Sequence, residues 1–152
     1  MNESSTDNRR TALITGASAG IGREIALIFA ENGFDLVLVA RRAERLQALA
    51  QEVQGKFGVR AEICAMDLSD PAAPARLEQE MMQRGLHIDA LINNAGYTVT
   101  GHFRHTDWTA QADLIQVMVT SYAELCHRFG PKMAERGYGR IINVASLAGH
   151  LP

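Results

Sequence analysis

The sequence predicts an α/β protein built on a doubly wound parallel sheet, and three observations carry that reading. Short apolar runs alternate with amphipathic stretches along the 152 residues, the pattern of a parallel sheet covered by helices. A glycine-rich turn follows the first apolar run and opens the first amphipathic stretch. The run Leu36-Val37-Leu38-Val39 is apolar on both faces, as an interior parallel strand requires.

Residues 12–15 read as the first strand. Residues 21–32 read as a helix with Ile21, Ile25, Ile28 and Phe29 on its inward face and Asn32-Gly33 as its stop. The second strand is 36–39. A helix over 43–57 follows, with Leu46, Leu49 and Val53 inward and Gly58 behind it. The third strand is 61–65. Asp70 then caps a helix with Pro71 at its first position, where a missing amide costs nothing. Residues 88–92 form the fourth strand. Thr106 or Asp107 caps a long helix running past Val117 and Leu125, with Trp108 as an apolar anchor at its start. Gly130-Pro131 ends or kinks that helix by removing an amide donor. Residues 140–144 form the fifth strand, after which the sheet is expected to be truncated. Right-handed crossovers make this a doubly wound sheet with its ligand at the carboxyl ends of the strands. The expected organisation is a flexible start over 1–10 and one domain over 11–152, incomplete at its carboxyl end.

Hydrophobic residues make up 47% and charged residues 21%, ordinary for a globular protein. A net charge of -2 argues against nucleic-acid or membrane partners, which demand a basic face. The polar first ten residues read as neither signal peptide nor anchor, so a cytoplasmic protein is expected. Cys64 and Cys126 lack metal-site spacing and read as buried reduced thiols. Met81, Met82 and Met133 read as core. His102 and His105 flank Phe103-Arg104 without a third ligand, so no metal is expected.

The segment Thr15-Gly16-Ala17-Ser18-Ala19-Gly20-Ile21-Gly22 is the strongest chemical signal. Glycines let a backbone turn tightly and approach a pyrophosphate whose charge sits on the following helix amino terminus. The strand-turn-helix context is the one that mechanism needs, and it marks a Rossmann-type dinucleotide site. Gly16, Ser18, Ala19, Gly20, Ile21 and Gly22 are the candidate cofactor contacts in this turn.

The spacing TGxxxGxG resembles that of the short-chain dehydrogenase/reductase family. Asp67-Leu68 after the third strand, Asn93-Asn94-Ala95-Gly96 after the fourth and the run GRIINVASLAG from Gly139 to Gly149 are similar to that family's further motifs. The resemblance extends from about Ala12 to Pro152. It implies hydride transfer between a nicotinamide and a carbonyl or alcohol substrate. It also implies adenine contact at Asp67 and Leu68, cofactor contact at Asn93, Ala95 and Gly96, and a substrate-holding catalytic serine at Ser146.

Cofactor preference is read at the end of the second strand. A carboxylate there suits the free 2′-hydroxyl of NAD, and a cation suits the 2′-phosphate of NADP. Ala40-Arg41-Arg42 stands at that place, with no acid before Glu44, so NADP (NADPH) is the expected cofactor and Arg41 and Arg42 its phosphate ligands.

The family's tyrosine and lysine, spaced YxxxK, have no counterpart. Tyr97, Tyr122 and Tyr138 each lack a lysine four positions on. Met118 stands where the family carries an asparagine, and a thioether cannot replace an amide's hydrogen bonds. The chain by itself is therefore expected to be inactive. The alternative reading is a non-catalytic dinucleotide-binding or oligomerising module. A homo-oligomer through the apolar fifth strand and through Leu114, Val117, Met118 and Leu125 of the long helix is expected, unless a further stretch of chain covers those surfaces.

Overall fold

A computed structural model of the chain describes residues 9–146. Five strands form one parallel sheet in the order β3-β2-β1-β4-β5. They are β1 (Thr11–Thr15), β2 (Asp35–Ala40), β3 (Ala61–Ala65), β4 (Ala90–Asn93) and β5 (Arg140–Asn143). The chain winds outward from β1 to β3, then crosses back to β4, so a crevice opens between the ends of β1 and β4.

Alternate residues of the central strands feed two cores, because successive side chains point to opposite faces. On one face Ala12, Ile14, Leu36 and Leu38 pack against α1 (Gly20–Glu31) and α2 (Ala43–Phe57). On the other, Leu13, Val37, Val39 and Leu91 pack against α3 (Ala73–Gln83) and α5 (Ser121–Glu135). The helix α4 (Trp108–Ile115) runs into α5 through a π turn at Gln116–Thr120.

The helix α2 has the expected bounds. Leu46, Leu49 and Val53 are buried, and Gly58 ends it at φ 66°. Four expectations are corrected. In α1 the buried residues are Gly22, Ala26 and Ala30, while Ile21 is 63% and Ile28 57% exposed. Small residues let this helix lie close to the sheet, and the two isoleucines fall on the outer side. The helix α3 begins at Ala73, and the proline in its first turn is Pro74. Asp70 instead braces the turn before it: Oδ1 accepts from the Ala72 amide at 2.9 Å, and Oδ2 pairs with Arg76 at 2.5 Å. The Ala72 amide and then Arg76 hold that carboxyl below its usual range. The helix α5 continues through Pro131 to Glu135. Pro131 and His127 lie on its exposed side, so the carbonyl that a proline leaves unpaired is not shut into the core. Trp108 is 69% exposed, so it anchors nothing within the described residues.

Met81 and Met133 are core, but Met82 is exposed. Cys64 is buried, its thiol pushed up to about 12 by burial, whereas Cys126 is half-buried. Most of the expected flexible start, residues 1–8, lies outside the described residues, as do residues 147–152 at the end of the GRIINVASLAG run. Arg9 and Arg10 are held: Arg9 donates to the Gly58 carbonyl at 2.6 Å, and Arg10 lies 3.7 Å over the Tyr138 ring.

Candidate cofactor site

Four loops leave the carboxyl ends of β1, β2, β3 and β4, and all four line one cleft of about 310 Å³. The first is the glycine turn. Gly16 has φ 68°, a conformation costly to any residue with a Cβ, and an added Cβ would lie 2.8 Å from the Ala95 Cα. The turn delivers the chain to α1, whose N-cap, Ala19, offers no capping side chain and whose first turn holds no acid. Its first amides therefore lack a side-chain acceptor, and an uncapped amino terminus favours an anion.

The second loop carries Arg41 and Arg42, both exposed and both lining the cleft. Arg42 donates from Nη2 to Ser18 Oγ at 3.1 Å, which draws the guanidinium to the glycine turn. The third loop carries Asp67, Leu68 and Ser69. Asp67 Oδ1 accepts from the Ser69 amide at 3.0 Å and from Ser69 Oγ at 2.9 Å, so its carboxylate shapes its own turn. Leu68 is buried. The fourth loop supplies Ala95, Gly96 and Tyr97.

Thr15 holds the crevice together. Fully buried, its Oγ1 accepts from the amides of Asn94 and Ala95 at 2.9 and 3.0 Å and donates to the Ile92 carbonyl at 3.3 Å. Asn94 adds a bond from Nδ2 to the Thr15 carbonyl at 3.0 Å. The ends of β1 and β4 are thus pinned by side chains before any ligand arrives.

Of the residues named from sequence, Gly16, Ser18, Ala19, Arg41, Arg42, Asp67, Leu68, Ala95 and Gly96 line the cleft together. Gly20, Ile21 and Gly22 lie in the turn and first helical residues without lining it. The Asn93 side chain faces away into the protein, donating from Nδ2 to Asn143 Oδ1 at 2.8 Å and to the Tyr122 carbonyl at 3.4 Å. Neighbouring residues at a strand end face opposite ways, so Asn94 reaches the glycine turn and Asn93 does not. Ser146 is exposed, three positions past β5, and does not line the cleft. His102 and His105 are exposed, their rings 6.2 Å apart.

Sequence reasoning missed Tyr97, Asp113 and Val117, which also line the cleft. Tyr97 directly follows the Asn-Asn-Ala-Gly motif, a signal that was available. Burial first, and then the Asp113 charge, push its phenol upward. Asp113 and Val117 arrive only because the α4 helix and its π turn fold over the sheet, which no local pattern announces.

The model of the short chain dehydrogenase family matches residues 10–152. A very-long-chain 3-oxoacyl-CoA reductase of Mycosarcoma maydis is 35% identical over 145 residues, covering 92% of this chain and 41% of that protein. The solved short-chain dehydrogenase from Sphingobium yanoikuyae in complex with NADPH is 39% identical with a TM-score of 0.87, covering 94% of this chain and 56% of that one. L-Sorbose reductase from Gluconobacter frateurii, solved with NADPH and L-sorbose, is 33% identical with a TM-score of 0.86, covering 92% and 53%. The chain therefore spans about half the length of the proteins it matches. The family model spans nearly the whole chain and the fold agrees with these solved relatives, and the chain belongs to the short-chain dehydrogenase family.

Proposed function

We propose that this chain supplies the NADP(H) site of an oxidoreductase acting on a small carbonyl or alcohol substrate. The observation that carries the reading is the placement of Arg41 and Arg42 at the end of β2, on the same cleft as the uncapped amino terminus of α1. The helix end suits a pyrophosphate, and the guanidiniums suit a 2′-phosphate by charge-assisted, bidentate bonding. Gly16 and Gly22 let the turn close against Ala95 and Asn94, where an added Cβ would collide, and so hold the turn at the mouth of the cleft. The bound nicotinamide would carry the hydride; the protein's part is to hold it against the substrate and exclude competing water. The NADPH held by the solved Sphingobium and Gluconobacter relatives supports the same choice of cofactor.

Titration with NADPH and NADH tests this. NADPH should bind the chain much more tightly, and Arg41→Asp should reverse the preference, shifting the ratio by at least about tenfold for the loss of one charge-assisted contact. A ratio untouched by that substitution sinks the assignment.

Within this reading Ser146 is the substrate-oxygen ligand, and Gly20, Ile21, Gly22 and Asn93 serve the cofactor by shaping the turn. A non-catalytic dinucleotide-binding module is the second reading. It is favoured by Met118, whose thioether packs on Gly96, where an added Cβ would meet Met118 Cε at 3.1 Å. Both readings include a homo-oligomer, supported by Ile141 and Ile142 of β5, 41% and 45% exposed, and by exposed Ile115 and Val119 on the long helix. No helix among the described residues is long and apolar enough to cross a membrane; a cytoplasmic location is part of the same proposal.

A further inference from the structure

The π turn Gln116–Thr120 interrupts the long helix beside the cleft, and Val117 within it lines the cleft. Such turns add a residue to a helical turn and recur at functional sites. The two residues that follow this one reach two different walls. Ser121 is fully buried and donates from Oγ to the Leu68 carbonyl at 3.0 Å, while Gln116 Nε2 donates to that Oγ at 3.3 Å. Tyr122 donates from Oη to the Ala95 carbonyl at 3.0 Å. Burial pushes its phenol up to about 12, so it remains a donor throughout the neutral range.

Ser121 is buried and Tyr122 half-buried, and hydroxyls so placed need partners, which in a helix are usually carbonyls one turn back on the same helix. These two go elsewhere. Their acceptors are 53 and 27 positions away, in the loop after β3 and the loop after β4. Those loops form separate walls of the cleft: Asp67, Leu68 and Ser69 on the side of Arg41 and Arg42, and Ala95 and Gly96 against the glycine turn. Met118 adds its thioether beneath Gly96 on the second wall.

We propose that Ser121 and Tyr122 are positioning residues that set the spacing between the two loop walls of the cofactor cleft through the carbonyls of Leu68 and Ala95. Ser121 holds the wall facing the adenosine half, and Tyr122 holds the wall facing the pyrophosphate and beyond. The cleft is then pre-organised from the helix behind it. This inference rests on the cofactor reading above.

The test is a titration of the 152-residue chain and two variants with two probes: NADPH, and adenosine 2′,5′-bisphosphate, which carries only the adenosine half. Tyr122→Phe removes one oxygen and keeps the ring. It should weaken NADPH binding by about fivefold, the worth of one lost hydrogen bond, and leave the bisphosphate within about twofold. A looser fold would instead reduce the competent fraction and weaken both probes by one factor. Ser121→Ala should weaken both probes about equally, because both carry the adenosine half. It should leave the binding of a third probe, reduced nicotinamide mononucleotide, which lacks that half, within about twofold, whereas a looser fold would weaken all three. The proposal is overturned if Tyr122→Phe weakens both probes alike or neither, or if Ser121→Ala binds the bisphosphate as the unmodified chain does. If Ser121→Ala does not fold, the Tyr122→Phe result decides alone. Failure of the unmodified chain to bind NADPH would sink the cofactor reading itself; normal binding with indifferent variants would sink only the positioning role.

Discussion

Gly22 and Asn94 are so close that one methyl group would not fit between them. A Cβ built on Gly22 lies 2.4 Å from Asn94 Nδ2 and 2.4 Å from the Gly16 carbonyl oxygen. The third glycine of the turn is therefore required by the fourth strand's loop, because the asparagine that pins β4 to β1 passes across it. Gly22→Ala must push Asn94 from its bond to the Thr15 carbonyl or move the turn backbone. Overpacking of this kind costs about 1–3 kcal/mol. Thermal melting should show that loss, and NADPH titration should show weakened binding. A variant that melts and binds like the parent would mean that the turn has slack the structure does not show.

Glu78 of α3 ties that helix to α5. It accepts hydrogen bonds from Lys132 Nζ and, at 2.6 Å, from Arg128 Nη1, with its side chain 18% exposed. The lysine, followed by the arginine, holds the carboxyl below its ordinary 4.5. A carboxylate depressed in the folded state contributes stability that is complete above its unfolded value and lost as pH falls through its folded value. Glu78→Gln should therefore cost about 1–2 kcal/mol near neutral pH, with less difference from the parent under strongly acidic conditions. Urea denaturation at pH 7 and near pH 3 checks this. An equal deficit at both would assign the loss to packing instead of charge.

The 152-residue chain on its own should reduce no carbonyl at a rate typical of its family. None of its tyrosines is paired with a lysine four positions on, and Tyr122 spends its hydroxyl on Ala95. A positioned general acid contributes about 10²–10⁴-fold to such steps. NADPH oxidation with a panel of ketones and aldehydes, on a preparation verified by mass, gives the answer; robust turnover overturns it.

Association is the expected fate of the exposed apolar surface. Ile141 and Ile142 lie on an edge strand, and unpaired apolar edges recruit other chains. Val117 and Leu125, by contrast, are buried and take no part. Light scattering should give a mass above that of a single 16.6 kDa chain. A monomer that persists at high concentration would contradict the proposal.

Much of the fold was legible because its signals are local. The α2 helix is bounded by a glycine that adopts the left-handed region, and its inward leucines follow a clean helical period. The α1 helix misled by the same logic. Large apolar side chains were the visible pattern, yet the sheet accepts Gly22, Ala26 and Ala30, since only small residues allow close approach. In the site, motif reading located all four loops but not the direction of each side chain. Asn93 and Asn94 are identical in type, and strand geometry alone decides that the second meets the glycine turn. Thr15 stood in the motif unnoticed as a ligand of two amides. The π turn has no composition of its own, so Ser121 and Tyr122 gave no sign of reaching Leu68 and Ala95.

The depth of Cys64 leaves the protein chemically lopsided. With its thiol pushed up to about 12, Cys64 presents almost no thiolate near pH 8, on the order of one molecule in 10⁴ at any instant. Alkylating reagents act on the thiolate, so the second cysteine alone should be open to them. Cys126 is half-buried beside the Asn93–Asn143 pair that joins β4 to β5. A small reagent attached there would sit at the seam between the fourth and fifth strands, and its environment would report whether that seam opens.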